Sequence, residues 1–257
     1  MCGRYASTKA RQELLDEFQI DLDATEDALE PDYNVAPTKQ VPAVIKRAPK
    51  GSGAEGEEAE AVRTLRTLRW GLVPSWAKDL SIGNRMINAR LETVHEKPAF
   101  RRAFARRRCL LPADGFYEWY ELKSPGEQPK KPKKQPFFIH PRDGDMMAMA
   151  GLYELWKNPE DEWVWTCTVI TTAATDDVGR IHDRMPMIVE PEMWTAWLDP
   201  DTNDPETIRG LLRPAMAGRM EAYPVSVTVN NVRNNGPSLV EPLPDGDISG
   251  EYGATLF

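Results

Sequence analysis

Alternation of apolar and polar residues is the main pattern along this chain, and it predicts that most of the secondary structure is β-strand. Alternate side chains of a strand point to opposite faces, so each segment can bury one face and leave the other more polar. Turn-forming residues separate the segments. The predicted strands are residues 41–45, 63–72, 86–91, 109–112, 115–122, 137–140, 147–156, 164–172 and 225–229.

Apolar residues at helical spacing predict four helices, and residues 33–37 are predicted as a loop. Ser7 is predicted to cap the first helix, which has Leu14, Leu15 and Phe18 on its apolar face. The second helix contains Phe100 and Phe104 on its buried side. The third helix begins at Pro191, and the fourth covers residues 205–212. Many strands with short connections and irregularly placed helices indicate a single α+β domain around antiparallel sheet. The sequence lacks regular strand and helix alternation and a glycine-rich phosphate loop, which disfavours a parallel Rossmann fold.

Composition supports one folded domain with two polar segments. The hydrophobic content of 41% over 257 residues is enough for a sizeable core, which we assign to residues 1–240. Residues 48–60 are rich in Gly, Ala and Glu and are predicted as a disordered insert, and residues 241–257 as a loose acidic tail. No stretch approaches the ~20 apolar residues of a membrane span, and no hydrophobic signal segment is present. We therefore expect a cytoplasmic protein without membrane contact.

Charge is unevenly distributed along the chain. The net charge of −8 argues against a protein covered with DNA, yet two basic clusters could form local patches. The clusters are Arg101, Arg102, Arg106, Arg107 and Arg108, and Lys130, Lys131, Lys133 and Lys134. For the lysines we favour a solubilising loop tip. For the arginines, a solvated face and a nucleic-acid contact remain equally good interpretations.

Cysteine usage draws attention to the start of the chain. The three cysteines are widely spaced, which favours neither a disulfide framework nor a zinc site, and we expect no metal and no cofactor. Cys109 and Cys167 lie in apolar runs and are expected to fill core space. If Met1 is removed, Cys2 carries a thiol and an α-amine on adjacent carbons, which together condense with an aldehyde to a thiazolidine. Otherwise Cys2 is an ordinary thiol.

Three further residues are candidates for chemistry. Alternation within residues 86–91 places Asn88 and Arg90 on one face, toward a cleft if the opposite face is buried. Glu118 lies between aromatic residues of one strand face, where enclosure would raise its pKa; an exposed strand glutamate is the alternative. His182 follows a strand end beside Asp183, a setting that suits proton transfer; judged alone, a solvated loop histidine is the favoured alternative.

Six short motifs occur in the order seen in the SRAP, or SOS response-associated peptidase, family, and the resemblance as a whole spans roughly Cys2 to Pro237. The motifs are Met1-Cys2-Gly3-Arg4-Tyr5, Tyr33-Asn34-Val35-Ala36-Pro37, Arg69-Trp70-Gly71-Leu72-Val73-Pro74, Ile87-Asn88-Ala89-Arg90, Ala113-Asp114-Gly115-Phe116-Tyr117-Glu118-Trp119 and Ile181-His182-Asp183-Arg184-Met185-Pro186. The resemblance implies one SRAP-type domain, in which curved antiparallel sheets form a barrel-like core with peripheral helices.

The resemblance also implies a function, because members of this family shield abasic sites in single-stranded DNA by a covalent bond from the N-terminal cysteine. It implies that Cys2 is the nucleophile and that Asn88 orients the sugar or the cysteine amine. Glu118 is then expected to transfer protons during imine formation, and His182 to assist ring opening and reversal of the crosslink. A self-processing peptidase and a weak lyase activity fit the same chemistry, whereas a general protease is not expected, because only Met1 precedes Cys2.

Further residues are expected at the DNA by the same resemblance. Arg4, Arg90 and Arg184 should contact phosphates, Trp70 should stack on a base, and the other expected contacts are Asn34, Pro37, Gly71 and Trp119. The expected partner is single-stranded DNA with abasic sites, bound by a monomer that lies with the nucleoid if the source is prokaryotic. The sequence does not indicate which proteins at the replication fork would be partners.

Two other functions remain open at this stage. Amidotransferases of the N-terminal nucleophile type also mature to a leading Cys-Gly and use the thiol to attack an amide, and they should turn over glutamine. A non-covalent DNA-binding module would need only the basic and aromatic residues, and its DNA binding should be labile to salt without a denaturant-resistant adduct.

Overall fold

The computed structural model describes residues 2–48, 60–121, 133–213 and 218–244, and it shows an α+β fold. The strands are β1 (Tyr5–Ser7), β2 (Leu22–Asp23), β3 (Asp32–Val35), β4 (Gln40–Arg47), β5 (Val62–Trp70), β6 (Asn88–Arg90), β7 (Arg108–Ala113), β8 (Gly115–Glu121), β9 (Lys134–Pro141), β10 (Met147–Lys157), β11 (Trp163–Ala173), β12 (Arg184–Pro186) and β13 (Met220–Pro224). The helices are α1 (Arg11–Glu17), α2 (Arg101–Arg106), α3 (Asp176–Ile181), α4 (Trp194–Leu198) and α5 (Pro205–Gly210).

The core of the fold is a barrel made by β4, β5, β7, β10 and β11. Antiparallel pairing joins β5 to β4, β4 to β7, β7 to β10 and β10 to β11. A short parallel contact, in which Thr166 and Cys167 of β11 lie opposite Arg69 and Trp70 of β5, closes the ring. Closure removes the unpaired edges that an open sheet would expose. The predicted α+β fold with a barrel-like core is confirmed.

Alternate side chains of the barrel strands fill its interior. They are Val41, Ala43 and Ile45 of β4, Leu68 and Trp70 of β5, Cys109 and Leu111 of β7, Met147, Met149 and Tyr153 of β10, and Cys167 and Val169 of β11. Cys109 and Cys167 are fully buried there, as predicted. The barrel has two mouths: the Cys2 mouth, where Val41, Trp70 and Val169 lie, and the arginine mouth at the other end, where Arg47, Arg66 and Trp163 lie.

A second sheet and the helices surround the barrel. The second sheet has the order β13-β9-β8-β1-β3 and carries the start of the chain, because β1 pairs with both β3 and β8. The helices bury an apolar face against another side of the barrel. Their buried residues include Leu14, Phe104, Trp197 and Ile208.

Several predicted elements are wrong in detail. Ser7 ends β1 and does not cap the first helix, which begins at Arg11, where the Glu13 Oε2 accepts a hydrogen bond from the Ala10 amide at 2.8 Å. The predicted loop over 33–37 begins as β3, because pairing with β1 satisfies that backbone. The strand predicted over 86–91 is confined to β6.

The strand predicted over 225–229 is also wrong. The last strand is β13, which ends at Pro224, and a 3-10 turn follows at Val227–Asn230. The Ser226 hydroxyl oxygen accepts a hydrogen bond from the Thr228 amide, and this local bond competes with strand pairing.

Three predictions fall largely outside the described residues: the insert over 48–60, the acidic tail over 241–257, and the loop that contains Lys130 and Lys131. None of the helices within the described ranges has the length and apolar character that a membrane crossing requires.

Candidate active site around Cys2

Pairing between β1 and β8 places Cys2 beside Glu118. Tyr5 lies opposite Phe116 in this antiparallel ladder, and the Tyr117 amide donates to the Arg4 carbonyl at 2.9 Å. Continuing the ladder by one register step brings the residues before Arg4 alongside Glu118. The Cys2 side chain has no solvent exposure and packs in the same apolar cluster as Trp70 and Val169. Cys2 therefore lies at one mouth of the barrel.

Asn88 holds the backbone of Cys2 from the opposite side. β6 pairs in parallel with β11, where Asn88 lies opposite Val169, and its Nδ2 donates to the Cys2 carbonyl oxygen at 2.7 Å. The Asn88 Oδ1 is buried and has no hydrogen-bond partner among the described residues. A buried amide oxygen without a partner is costly, so it is a ready acceptor for a donor that enters the site. Asn88 and Cys2 are thus in direct contact.

Glu118 is the buried carboxyl group of the site. Only 3% of its surface is exposed, and this burial raises the pKa of its side chain to about 7. A carboxyl group with this pKa can both donate and accept a proton at neutral pH. Burial also raises the pKa of the Cys2 thiol, and the nearby charge of Glu118 raises it further. Cys2 is therefore a neutral thiol in this environment, one that needs a proton acceptor before it can attack.

His182 lies next to Glu118, immediately after α3. Its Nε2 is 4.0 Å from the Glu118 Oε2, while its Nδ1 is 2.9 Å from Asp183 Oδ1 and accepts from the Arg184 amide at 3.0 Å. Neutral imidazole accepts at Nδ1 from the amide, and the charged ring can donate there to Asp183. Burial lowers the pKa of His182, so the neutral ring with Nε2–H toward Glu118 prevails at neutral pH.

Two residues predicted to contact DNA are internal to the fold. Arg4 is 9% exposed, and its Nη1 donates to the Asn34 Oδ1 and to the Val229 carbonyl. Asn34 is fully buried, and its Nδ2 donates to the carbonyls of residues 229, 231 and 234. Both side chains tie β1 and β3 to the segment after β13, so their observed contacts are structural.

Trp70 and Gly71 are also buried. The Trp70 ring is fully enclosed in the barrel, packs edge-on against Tyr5 and donates its indole N–H to the Ile87 carbonyl at 2.9 Å. It offers no face to a base. Gly71 has a φ of +127°, and a Cβ there would lie 2.6 Å from the Gly83 carbonyl oxygen. The need for glycine at this position is explained by that close backbone contact.

The remaining predicted DNA contacts are at least partly accessible. Arg90 is exposed, Trp119 and Pro37 are half-buried, and the Trp119 indole donates to Asn230 Oδ1 at 2.7 Å. Arg184 forms a two-pronged ion pair with Glu92, at 2.7 and 3.0 Å. The Arg184 Nε is buried without a hydrogen-bond partner among the described residues.

Trp76, which is 58% exposed in the segment after Gly71, was not among the residues predicted to contact DNA. Its exposure could have been predicted from the sequence, because this tryptophan follows Pro74 and Ser75 in a turn-rich segment where no strand pattern would bury it. Among the described residues, no cluster of His, Cys, Asp and Glu could hold a metal ion.

The fold and the site together define a barrel protein that carries a candidate cysteine nucleophile at the second position, next to a buried glutamate and a histidine. Residues 1–232 match the family described as SOS response associated peptidase (SRAP), and the chain belongs to this family.

Its relatives include the "Abasic site processing protein YoqW" of Bacillus subtilis, 42% identical over 94% of this chain and 99% of the relative. The "Abasic site processing protein HMCES" of Gallus gallus is 33% identical over 83% of this chain and 66% of the relative. A solved structure from Bacteroides thetaiotaomicron, 23% identical, covers 94% of this chain and 100% of its own with a TM-score of 0.77, and shows the same fold.

Proposed function

We propose that this protein processes abasic sites in single-stranded DNA by forming a covalent bond between Cys2 and the opened sugar, after Met1 has been removed. The observation that carries the proposal is the position of Cys2, whose carbonyl is held by Asn88 at 2.7 Å next to the buried Glu118. The names of the relatives, which are abasic site processing proteins, support the same assignment.

The reaction follows from the two nucleophiles of an N-terminal cysteine. The Cys2 amine adds to the aldehyde carbon of the ring-opened sugar, and loss of water leaves an imine. The Cys2 sulfur then adds to the imine carbon, and the imine nitrogen gains a proton as the thiol loses one. One C–S bond closes a five-membered thiazolidine, and this step is intramolecular and therefore entropically cheap.

Glu118 and Asn88 have distinct roles in this scheme. Glu118, with a pKa of about 7, delivers the proton that the departing water needs and then accepts the proton of the neutral Cys2 thiol. Asn88 fixes the Cys2 carbonyl through Nδ2, and its Oδ1, which has no partner within the described part of the chain, accepts a hydrogen bond from the amine or from a sugar hydroxyl. His182, adjacent to Glu118, assists opening of the sugar and reversal of the crosslink.

The DNA strand would run past the exposed side chains near the site. Arg90 offers an exposed guanidinium. Arg184 is mostly enclosed and paired with Glu92, so it would have to release Glu92 to reach a phosphate. Trp76 and Trp119 replace the buried Trp70 as the surfaces on which bases stack. Removal of Met1 is the one peptide cleavage that this scheme requires.

The test is crosslinking to single-stranded DNA that contains one abasic site, read on denaturing gels after intact mass measurement has verified loss of Met1. Wild type and the matched thiol control Cys167→Ala should give a stable adduct. Cys2→Ser should give none, and Cys2→Ala should give at most a transient imine with some strand nicking. Equal stable crosslinking by wild type and Cys2→Ala would exclude the role of sulfur. Glutamine turnover by wild type that is lost in Cys2→Ala would favour an amidotransferase instead.

A further inference from the structure

The arginine mouth of the barrel has an unusual lining. On β4 the interior positions are apolar up to Ile45, and the next interior position is Arg47. On β5 the interior position before Leu68 is Arg66, and on β11 the positions before Cys167 are Trp165 and Trp163. The same alternation that builds a dry core at the Cys2 mouth therefore brings two guanidiniums and two indoles together at the other mouth.

Both guanidiniums contact one tryptophan. The Cζ of Arg66 lies 3.7 Å from the ring centroid of Trp165, and that of Arg47 lies 5.2 Å from it. Tyr153 stacks on Trp165 and fixes the indole from within the barrel. Two like charges on one ring repel each other, and no salt bridge among the described residues neutralises either of them.

Hydrogen bonding at this mouth is incomplete. The Nε of Arg66 is buried and has no partner among the described residues. Burial lowers the pKa of Arg66, and the charge of Arg47 lowers it further, while the charge of Glu26 has the opposite effect. The mouth therefore carries positive charge that an entering anion would stabilise, with an unfilled hydrogen-bond donor to receive it.

A small cavity opens beside these side chains. It has a volume of about 260 Å³ and is lined largely by apolar groups, among them Leu22, Ile45, Leu155 and Trp163. Trp163 is 52% exposed and presents its ring at the rim. Sites for whole small molecules usually measure about 300–1,000 Å³ and often lie in barrel mouths, so this cavity suits one flat unit of a longer ligand.

We propose that the arginine mouth binds one nucleotide unit of single-stranded DNA, with the base stacked on Trp163 and the phosphate held by Arg47 and Arg66. The choice of DNA as the polymer rests on the proposed function. A nucleotide has a flat base that can stack on an indole ring and a phosphate that can pair with guanidiniums, and this mouth offers both groups side by side. Acidic residues such as Glu26 and Asp27 line the adjacent cleft, so the local guanidiniums, not the overall charge, would hold the phosphate.

The distance between Trp163 and the Cys2 mouth shows how far along a DNA strand the bound nucleotide would lie from the lesion. Trp163 lies six residues before Val169, the register partner of Asn88, which is about 20 Å along a strand. The bound unit would therefore lie further along the strand and not directly next to the lesion. The segment that carries Trp76 reaches this end of the barrel, because Trp156 near the end of β10 donates a hydrogen bond to the Ala77 carbonyl at 2.8 Å.

The test measures the Kd of an undamaged, labelled oligothymidylate by fluorescence anisotropy, so that no covalent step contributes. Trp163→Ala should weaken binding about tenfold, and Arg47→Gln and Arg66→Gln about fivefold each with a shallower salt dependence. The matched control is Arg142→Gln, which removes one charge at an exposed site outside both mouths and should change Kd less than about twofold. Thermal melting verifies that each variant is folded.

The outcomes separate this proposal from the proposed function. If Trp163→Ala and Arg47→Gln both bind the oligonucleotide as Arg142→Gln does, the arginine mouth is not a DNA site. If thymidine monophosphate binds as tightly as the oligonucleotide and loses affinity in Trp163→Ala, the ligand is a free nucleotide, and the assignment to a DNA strand is wrong. Crosslinking at saturating abasic DNA should be unaffected by Trp163→Ala. Absence of any crosslinking by wild type would reject the proposed function. The proposed site at the arginine mouth would then be judged by the binding measurements alone.

Discussion

At the Cys2 mouth a buried carboxyl group, that of Glu118, lies beside the cysteine, whereas at the arginine mouth two partly buried guanidiniums, those of Arg47 and Arg66, lie on one indole ring. Burial raises the pKa of Glu118 to about 7, and burial lowers the pKa of Arg66. The consequences differ, because a carboxyl with a pKa near neutrality exchanges its proton while arginine stays charged. Desolvation thus brings the pKa of one group close to neutral pH and leaves the other group charged.

Among the variants that test this difference between the two mouths, Glu118→Gln is expected to have the largest effect, a lower rate of crosslinking. Glutamine keeps the size of the side chain but cannot carry a proton, so crosslinking to abasic DNA at pH 7 should slow about 100-fold. The matched control is Glu154→Gln, which makes the same change at a buried glutamate that is paired with Arg107 at 3.1 Å, away from Cys2. Single-turnover rates on denaturing gels measure both. An unchanged rate in Glu118→Gln would exclude Glu118 as the proton carrier.

A smaller effect is expected on stability. Glu118 has its pKa raised from 4.5 to about 7, so the folded state keeps a proton that the unfolded state has lost between these values. Wild type should therefore lose stability as pH rises through 7, and Glu118→Gln should be more stable by about 2 kcal/mol at pH 8. The two proteins should converge below pH 4.5. Chemical denaturation across this range measures the difference, and a constant difference would show that Glu118 does not titrate as described.

The smallest effect is expected from His182→Ala. Neutral His182 lies 4.0 Å from Glu118 and is proposed to assist reversal, so its loss should slow transfer of the protein from a crosslinked strand to fresh abasic DNA about tenfold. Formation of the crosslink should change less than release. The matched control is His140→Ala, because His140 contacts Glu221 on the second sheet. Equal transfer rates in wild type and His182→Ala would leave His182 without a role in reversal.

Much of the candidate site was accessible from the sequence. The chemistry of a cysteine after Met1, the alternation that puts Asn88 and Arg90 on one face, and the aromatic setting of Glu118 all depend on local residue order. The structure decides between the two interpretations of Glu118, which is buried, and brings Asn88, Glu118 and His182 together around Cys2. The local predictions that failed, such as Ser7 as a helix cap, concerned ends of elements, where pairing with a distant strand decides the boundary.

The order of residues by itself determined the strand faces, the core-filling cysteines and the membership of the SRAP family. Only the tertiary structure decided that Trp70 is enclosed while Trp76 is exposed, and that Arg47 and Arg66 meet on Trp165. The physical reason is that alternation fixes which way a side chain points but not which strand lies opposite. Closure of β11 onto β5 joins segments about a hundred residues apart, and it depends on the accumulated twist of the whole sheet.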